Sequence, residues 1–378
     1  VAKIDVLITA RPTYTRVKPL LQLLSSNSSF ETTITLAASA LEDKFGNIAE
    51  IANSDGWIVR SKISSQMESD SQLSMSQITA ETLRGLGSSW STNKPDLVIV
   101  NGDRFETVAG TLAASHLGIP VGHIMGGERS GNIDDAIRDA NSSLATLHFT
   151  ATAKATANLR SWVRFPDNVF HTGCPSIDIC AQLEKQIDIV ALQESISRVG
   201  VGTEIDLSEP FMIIMQHPVT DHFKEIDSEI METFYAVSEI KMQKIWFWPN
   251  ADIGTNIASK TLRRIRENNE LDGFRFIKTL PPHTFLRLLS LSAVIVGNSS
   301  AGIREGSYLG VPCVNIGDRQ IGRETAENVN HCSSNSLQIQ KAIELHLDSG
   351  KFKSSVLYGD GSAAIKIVHA IESFFEYN

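Results

Sequence analysis

The chain has 378 residues, 42% of them hydrophobic and 20% charged, with a formal net charge of −9. That length and composition describe a well-cored globular protein of two domains, and the acidic balance excludes a broad nucleic-acid-binding face, which needs a basic footprint. No apolar run approaches the ~20 residues of a membrane span, and the start, VAKIDVLITA, reads as a first strand and not as a signal peptide.

Apolar runs alternate with amphipathic stretches from end to end. In the first half the runs at 4–9, 33–38, 97–100, 121–124, 147–150 and 170–171 read as strands, and the stretches at 17–24, 78–90, 106–117, 133–144 and 153–161 as helices. Residues 61–76, rich in Ser and acidic side chains, read as a surface loop. The alternation weakens over 182–210 and restarts with strands at 211–215, 244–248, 274–279, 293–296 and 313–316. Strands alternating with helices give parallel sheets covered by helices. The expected class is α/β: an N-terminal domain over 1–180, a second over 181–360, and a final helix within 361–378 that can pack back across them. Four cysteines, Cys174, Cys180, Cys313 and Cys332, include no C-x-x-C pair. A reducing cytoplasm is the expected compartment, and Cys313 is expected to fill core.

In open α/β sheets ligands bind beyond the carboxyl ends of strands, and the polar motifs fall there. After the first strand comes Arg11, beside Pro12, which disfavours helix at the residue before it; a helix is expected from near Thr15. Arg11 is a phosphate contact or a plain loop arginine. After the strand 97–100 comes Gly102-Asp103-Arg104-Phe105, where Asp103 is either a helix cap or a catalytic acid or base. His123 near the end of the next strand is a candidate, or a buried histidine bonded to backbone. Gly126 and Gly127 then turn the chain into Glu128, followed by Asp134 and Asp135. Clustered carboxylates repel, which raises at least one pKa and suits proton transfer.

In the second half His217 follows the strand 211–215, and a further polar tip comes at Trp248, Pro249, Asn250, Ala251 and Asp252. The strand at 293–296 runs into Gly297-Asn298-Ser299-Ser300-Ala301-Gly302 and a helix-like pattern. Small residues, free N–H groups and hydroxyls suit an anion at a helix N-terminus. Glu305, within the first turns of that helix, is placed for neutral hydroxyls such as those of a ribose, and Arg319 and Arg323 follow the next strand. The bland reading is an ordinary strand–turn–helix corner. The sequence has no H-E-x-x-H, no P-loop lysine motif and no G-x-G-x-x-G after the first strand, so metal and nicotinamide sites lack support.

Taken in order, G-D-R-F (102–105), H-I-M-G-G-E (123–128), I-D-D-A-I-R (133–138), G-C-P-S-I-D (173–178), Q-H-P-V-T (216–220), P-N-A-D (249–252), G-N-S-S-A-G-I-R-E (297–305), R-Q-I-G-R-E-T (319–325) and Y-G-D-G (358–361) resemble the UDP-N-acetylglucosamine 2-epimerase family over nearly the whole chain. The likeness is greater to the hydrolysing branch, which releases N-acetylmannosamine for sialic-acid-type sugars. It implies a glycosyltransferase-B-like fold, two Rossmann-like domains with parallel sheets facing an interdomain cleft that closes over the substrate.

The resemblance also implies a reaction without metal or cofactor. UDP leaves C1 as the C2 proton is removed, and water then adds to the resulting 2-acetamidoglucal with inversion at C2. It assigns Arg11, Arg104, Ser299, Ser300, Glu305 and Arg319 to the UDP-sugar, Glu305 to the ribose, and Asp103, Glu128, Asp134 and His217 to catalysis. A nucleotide sugar is the expected partner, in a homodimer or homotetramer, with no nucleic acid or membrane. Met125 stands where one branch carries a carboxylate, Asp139 and Ser143 replace a usual histidine and lysine, and Thr13 replaces a common acidic residue. The alternatives are a non-hydrolysing epimerase, an epimerase of a related UDP- or GDP-linked diacetamido sugar, a glycosyltransferase on the same fold, and a non-catalytic nucleotide-sugar binder.

Overall fold

The computed structural model describes every residue except 44–46, 66–71, 132, 185, 220–223, 250–253, 269–270 and 378. The chain divides into two compact units. Unit 1 comprises Val1–Arg129, Ile133–Ile179 and Tyr358–Asn378, and unit 2 comprises Ser130–Asn132 and Cys180–Leu357.

Unit 1 opens with β1 (Ala2–Ile8), α1 (Arg11–Ser26), β2 (Phe30–Ala37), α2 (Ile48–Ser54), β3 (Val59–Ile63), α3 (Gln72–Thr92), β4 (Leu97–Asn101) and α4 (Thr107–His116). It continues with β5 (Val121–Ile124), α5 (Asp134–Leu144), β6 (Leu147–Thr150), α6 (Ala153–Arg160), β7 (Val169–His171) and α7 (Pro175–Ala181). Its seven strands lie in the order β3-β2-β1-β4-β5-β6-β7, every pair parallel. Strands covered on both faces read as unbroken apolar runs, and β4, LVIVN, is buried at every position. Among the polar groups buried in this sheet is a carboxylate. Asp5, fully buried in β1, accepts from Thr33 (2.8 Å), Thr35 (2.6 Å) and Trp90 Nε1 (2.7 Å), with Arg60 Nε 3.5 Å away. These donors replace the water the carboxylate has lost.

Unit 2 comprises α8 (Ile189–Val199), β8 (Gly200–Gly202), β9 (Phe211–Met215), α9 (Ile226–Ser238), β10 (Gln243–Phe247), α10 (Thr255–Asn268) and β11 (Phe274–Ile277). These are followed by α11 (Pro282–Leu291), β12 (Val294–Gly297), α12 (Ser300–Ile303), α13 (Glu305–Leu309), β13 (Cys313–Ile316), β14 (Val329–Cys332) and α14 (Ser336–Ser349). The sheet order is β14-β13-β12-β9-β10-β11-β8, parallel except for the antiparallel pair β11–β8. The chain then returns to unit 1 with α15 (Ala363–Tyr377). In both units the strand order reverses beside the first long strand, between β1 and β4 and between β9 and β12. Such switch points leave a crevice outside the carboxyl ends of the two strands.

Several sequence expectations need correction. Helix α1 begins at Arg11, not near Thr15, with Pro12 in its first turn; Pro lacks only an N–H that has no helical partner there. The stretch 61–76 is not one loop, since β3 runs to Ile63 and α3 starts at Gln72. Residues 182–210 hold α8 and β8, and β14 was not anticipated. The helix after β12 is two short ones, α12 and α13, broken at Arg304 with ψ −74°, so Glu305 opens a second helix and does not lie within the first. All four cysteines are free, and burial pushes the Cys313 thiol up to about 12, as suits core filling. Among the described residues no helix is long and apolar enough to cross a membrane.

Candidate active site

The switch point of unit 1 carries Arg11 at the start of α1 and Asp103 and Arg104 just past β4. Burial lowers the Arg11 pKa. Gly102 takes a φ of +83°, which lets the chain turn sharply out of β4. Asp103 does not cap α4, whose cap residue is Glu106. Its carboxylate instead accepts from Arg138 Nη2 on α5. Arg104 Nε donates to Glu106 at 3.0 Å.

Arg138 is the residue that organises this edge, and the sequence reading gave it no role. It is 1% exposed. Beyond Asp103, its Nη1 donates to Asp135 and, at 3.0 Å, to the Glu128 carbonyl oxygen. Burial lowers its pKa, but the charges of Asp103, Glu128 and Asp135 overcome this and the net shift is upward. The expectation of carboxylates left to repel one another is therefore corrected, because a buried guanidinium lies among them. The signal was present in the sequence, since Arg138 stands three residues after Asp135 on one helix face. Asp134 starts α5 and is half-buried; Glu128 is 6% exposed.

His123 is a structural histidine. Fully buried, it joins Ser142 Oγ at Nδ1 and the Gly102 carbonyl at Nε2, both at 2.9 Å. The carbonyl can only accept, so Nε2 carries the proton and Nδ1 accepts from Ser142. Burial pulls its pKa to about 4, against the Gly102 bond, so it stays neutral near pH 7 and ties β5, α5 and the tip of β4 together. The turn after β5 is tightly fitted. Met125 has a φ of +67° and Gly127 of +80°, and a Cβ at Gly127 would meet the Ala155 carbonyl oxygen at 2.4 Å.

In unit 2 the switch point joins the tips of β9 and β12. Asn298 Oδ1 accepts from the His217 N–H at 2.7 Å, and Asn298 Nδ2 donates to the His217 carbonyl at 2.8 Å. Its own N–H donates to Met215 O at 3.0 Å. Arg319 Nη1 and Gln320 Nε2 both donate to the Asn298 carbonyl, at 3.1 and 3.3 Å, and Arg323 donates to Gln320. His217 and Arg319 thus gather around one asparagine. Ser299 caps α12, accepting from the Ala301 N–H at 3.3 Å, and Ser300 is its first residue. Glu305 is half-buried, and its Oε2 is buried with no hydrogen-bond partner among the described residues.

Thr220 of Q-H-P-V-T and Asn250, Ala251 and Asp252 of P-N-A-D lie outside the described residues. Among the described residues no three His, Cys, Asp or Glu side chains are grouped to hold a metal ion.

The family model of UDP-N-acetylglucosamine 2-epimerase matches residues 22–372. The chain is 28% identical over 364 residues to the UDP-N,N'-diacetylbacillosamine 2-epimerase (hydrolyzing) of Legionella pneumophila, a match covering 96% of this chain and 94% of that protein. It is 26% identical over 351 residues to the UDP-N-acetylglucosamine 2-epimerase of Neisseria meningitidis serogroup B, covering 93% and 89%. In structure it is similar to the Methanocaldococcus jannaschii UDP-GlcNAc 2-epimerase in complex with UDP-GlcNAc and UDP, with a TM-score of 0.82 at 19% identity over 98% of this chain and 99% of that one. This likeness establishes a glycosyltransferase-B-like fold of two Rossmann-like domains. With the family model spanning nearly its whole length, the chain belongs to the UDP-N-acetylglucosamine 2-epimerase family and is an enzyme of it.

Proposed function

We propose that the chain is a hydrolysing 2-epimerase that converts UDP-N-acetylglucosamine and water to N-acetylmannosamine and UDP. The observation that carries this reading is the Arg138 cluster at the carboxyl edge of unit 1, where one buried cation holds Asp103 and Asp135 and grips the Glu128 backbone. Removing a weakly acidic C2 proton needs a held carboxylate with little freedom to reorganise. In the first step a carboxylate takes that proton, the C1–O bond to UDP breaks, and a C1=C2 double bond forms. In the second, water supplies hydroxyl to C1 while a proton enters C2 from the opposite face. Asp103, Glu128 and Asp134 carry these transfers. Met125, 2% exposed, cannot exchange a proton, so the carboxylate that one branch has at this position takes no part.

Unit 2 supplies the nucleotide contacts. There Ser299, Ser300 and Arg319 are the diphosphate contacts, His217 serves the diphosphate or sugar, and the unmatched Glu305 oxygen suits a ribose hydroxyl donor; in unit 1, Arg11 and Arg104 are the candidate substrate contacts. Cations at the leaving diphosphate stabilise charge that grows as the C1–O bond breaks. The test is incubation with UDP-N-acetylglucosamine in heavy water, followed by NMR. Deuterium at C2 with free N-acetylmannosamine and UDP is expected. Formation of UDP-N-acetylmannosamine without free sugar would replace this reading with the reversible reaction, and an unchanged nucleotide sugar would reject both.

A second substrate, UDP-N,N'-diacetylbacillosamine, is favoured by the name of the Legionella relative and by Asp139 and Ser143 where a histidine and a lysine are usual. A kcat/KM at least ~10-fold higher for that sugar would make it the substrate, since a site built for an extra polar group rejects the analogue lacking it.

A further inference from the structure

The turn that carries Glu128 is held from the side by an ion pair that the proposed chemistry does not itself use. Arg129 Nη1 donates to both carboxylate oxygens of Asp139 at 2.7 Å. The two side chains are 40% and 38% exposed, so the pair is partly solvated and adds little to folding. Its location gives it a different significance. Arg129 directly follows Glu128, and Asp139 directly follows Arg138, whose Nη1 already holds the Glu128 carbonyl at 3.0 Å. Helix α5 thus grips two consecutive residues of the turn through two consecutive residues of its own. A third tie comes from α6, where Asn158 Nδ2 donates to the Gly127 carbonyl at 2.8 Å.

The turn needs such ties. Gly126 and Gly127 give it conformational latitude that ordinary residues would remove, and Arg129 is the last residue of unit 1 before the three that cluster with unit 2. The Gly127 tie and the Arg138 tie fix the chain before and at Glu128. The Arg129–Asp139 pair fixes the residue directly after Glu128, and the Gly322 N–H donates to the Ser130 carbonyl one residue further on, at 3.3 Å. We propose that Arg129 and Asp139 are positioning residues that set where the Glu128 carboxylate stands for proton transfer. This rests on the reading above that Glu128 is catalytic. A displacement of about 1 Å at a reacting group costs up to ~10²-fold in rate, far more than a half-exposed ion pair contributes to stability.

The experiment measures kcat, KM and thermal midpoint for the wild type, Glu128→Gln, Arg129→Met, Arg129→Lys, Asp139→Asn and the reversed pair Arg129→Asp/Asp139→Arg, with UDP-N-acetylglucosamine. Arg129→Met and Asp139→Asn are expected to lower kcat about 10- to 100-fold, with KM within about twofold and an almost unchanged midpoint. Arg129→Lys keeps a cation facing Asp139 and should retain most of kcat, and the reversed pair should recover at least ~10-fold over either single change. In molar salt the wild-type kcat should fall toward that of Arg129→Met, while the variant stays level.

Wild-type kcat in Arg129→Met and Asp139→Asn, with Glu128→Gln inactive, would overturn the positioning role alone. So would a loss that neither lysine nor the reversed pair restores. A wild type that turns over and a Glu128→Gln variant of equal rate would instead overturn the assignment of Glu128, and a wild type inert toward this and the diacetamido substrate would overturn the proposed function.

Discussion

Arg138 is 1% exposed at its side chain, against 24% for Asp103 and 21% for Asp135. Replacing it with methionine keeps much of the volume but leaves two carboxylates facing each other without a counter-charge. Breaking a buried pair costs about 3–5 kcal/mol, and the partial exposure of both partners places Arg138→Met near the lower figure, about 3 kcal/mol. Urea unfolding would read it, and an unchanged midpoint would deny Arg138 this central role. Asp103→Asn differs. It retains the shape and a hydrogen-bond acceptor for Arg138, so folding should survive while kcat falls by ~10² or more; full activity would remove Asp103 from the chemistry. The two carboxylates Asp103 and Glu128 were legible from the sequence because each follows a strand and a glycine. For Arg138 only the spacing from Asp135 was legible, because its ties to Asp103 and the Glu128 carbonyl depend on what two separate strand tips bring to it. For His123, the choice between site residue and buried strut was open in sequence and was decided by two bonds, to Gly102 and Ser142.

At the scale of elements, strands covered on both faces are legible in the sequence, and of the four edge strands only β7, expected at 170–171, is. The strands at 121–124, 147–150, 211–215 and 313–316 occur over those residues, and nearly every position in them is buried. The strands not anticipated, β3, β8 and β14, all lie at an edge. β3 reads VRSKI and no position in it is fully buried, so it has neither an apolar run nor a clean alternation. Two element junctions yield predictions. Gly297, at the end of β12, has a φ of +133°, and a Cβ there would meet the Met215 carbonyl oxygen at 2.1 Å. Gly297→Ala should therefore destabilise unit 2 by at least ~2 kcal/mol, visible as a lowered denaturation midpoint. Asp178 on α7 accepts from the Ala363 and Ala364 N–H groups at 2.9 and 2.7 Å, capping α15 from 185 residues away. Asp178→Ala should cost about 2 kcal/mol and raise hydrogen exchange across α15; unchanged protection would show that packing alone holds that helix.

Across the whole molecule, acid sensitivity should come from buried histidines. Burial pulls His123 to about 4, and burial followed by the neighbouring His123 pulls His148 to about 3, both from 6.5. Each is neutral in the fold and takes a proton in the unfolded chain below 6.5, so the unfolded state binds more protons and stability falls as pH drops. From about pH 7.5 to about 5.5 the two together should remove about 2.5–3 kcal/mol. Asp178, whose pKa burial raises, works in the opposite sense at lower pH. His148→Leu should halve the loss measured by urea titration at the two pH values, and equal slopes in both proteins would reject the assignment.

The return of the chain to unit 1 also bears on how the protein is made. Residues Tyr358–Asn378 belong to the unit begun at Val1. There Ile367 and Ile371 are fully buried, Phe375 meets Phe30 at 6.2 Å between ring centroids, and Glu372 accepts from Asn27 at 2.7 Å. On the ribosome, Cys180–Leu357 is synthesised in full before α15, so the half translated first is finished last. Until then the nascent chain shows the apolar flank that α15 will cover, and that interval is when a chaperone would have its purchase.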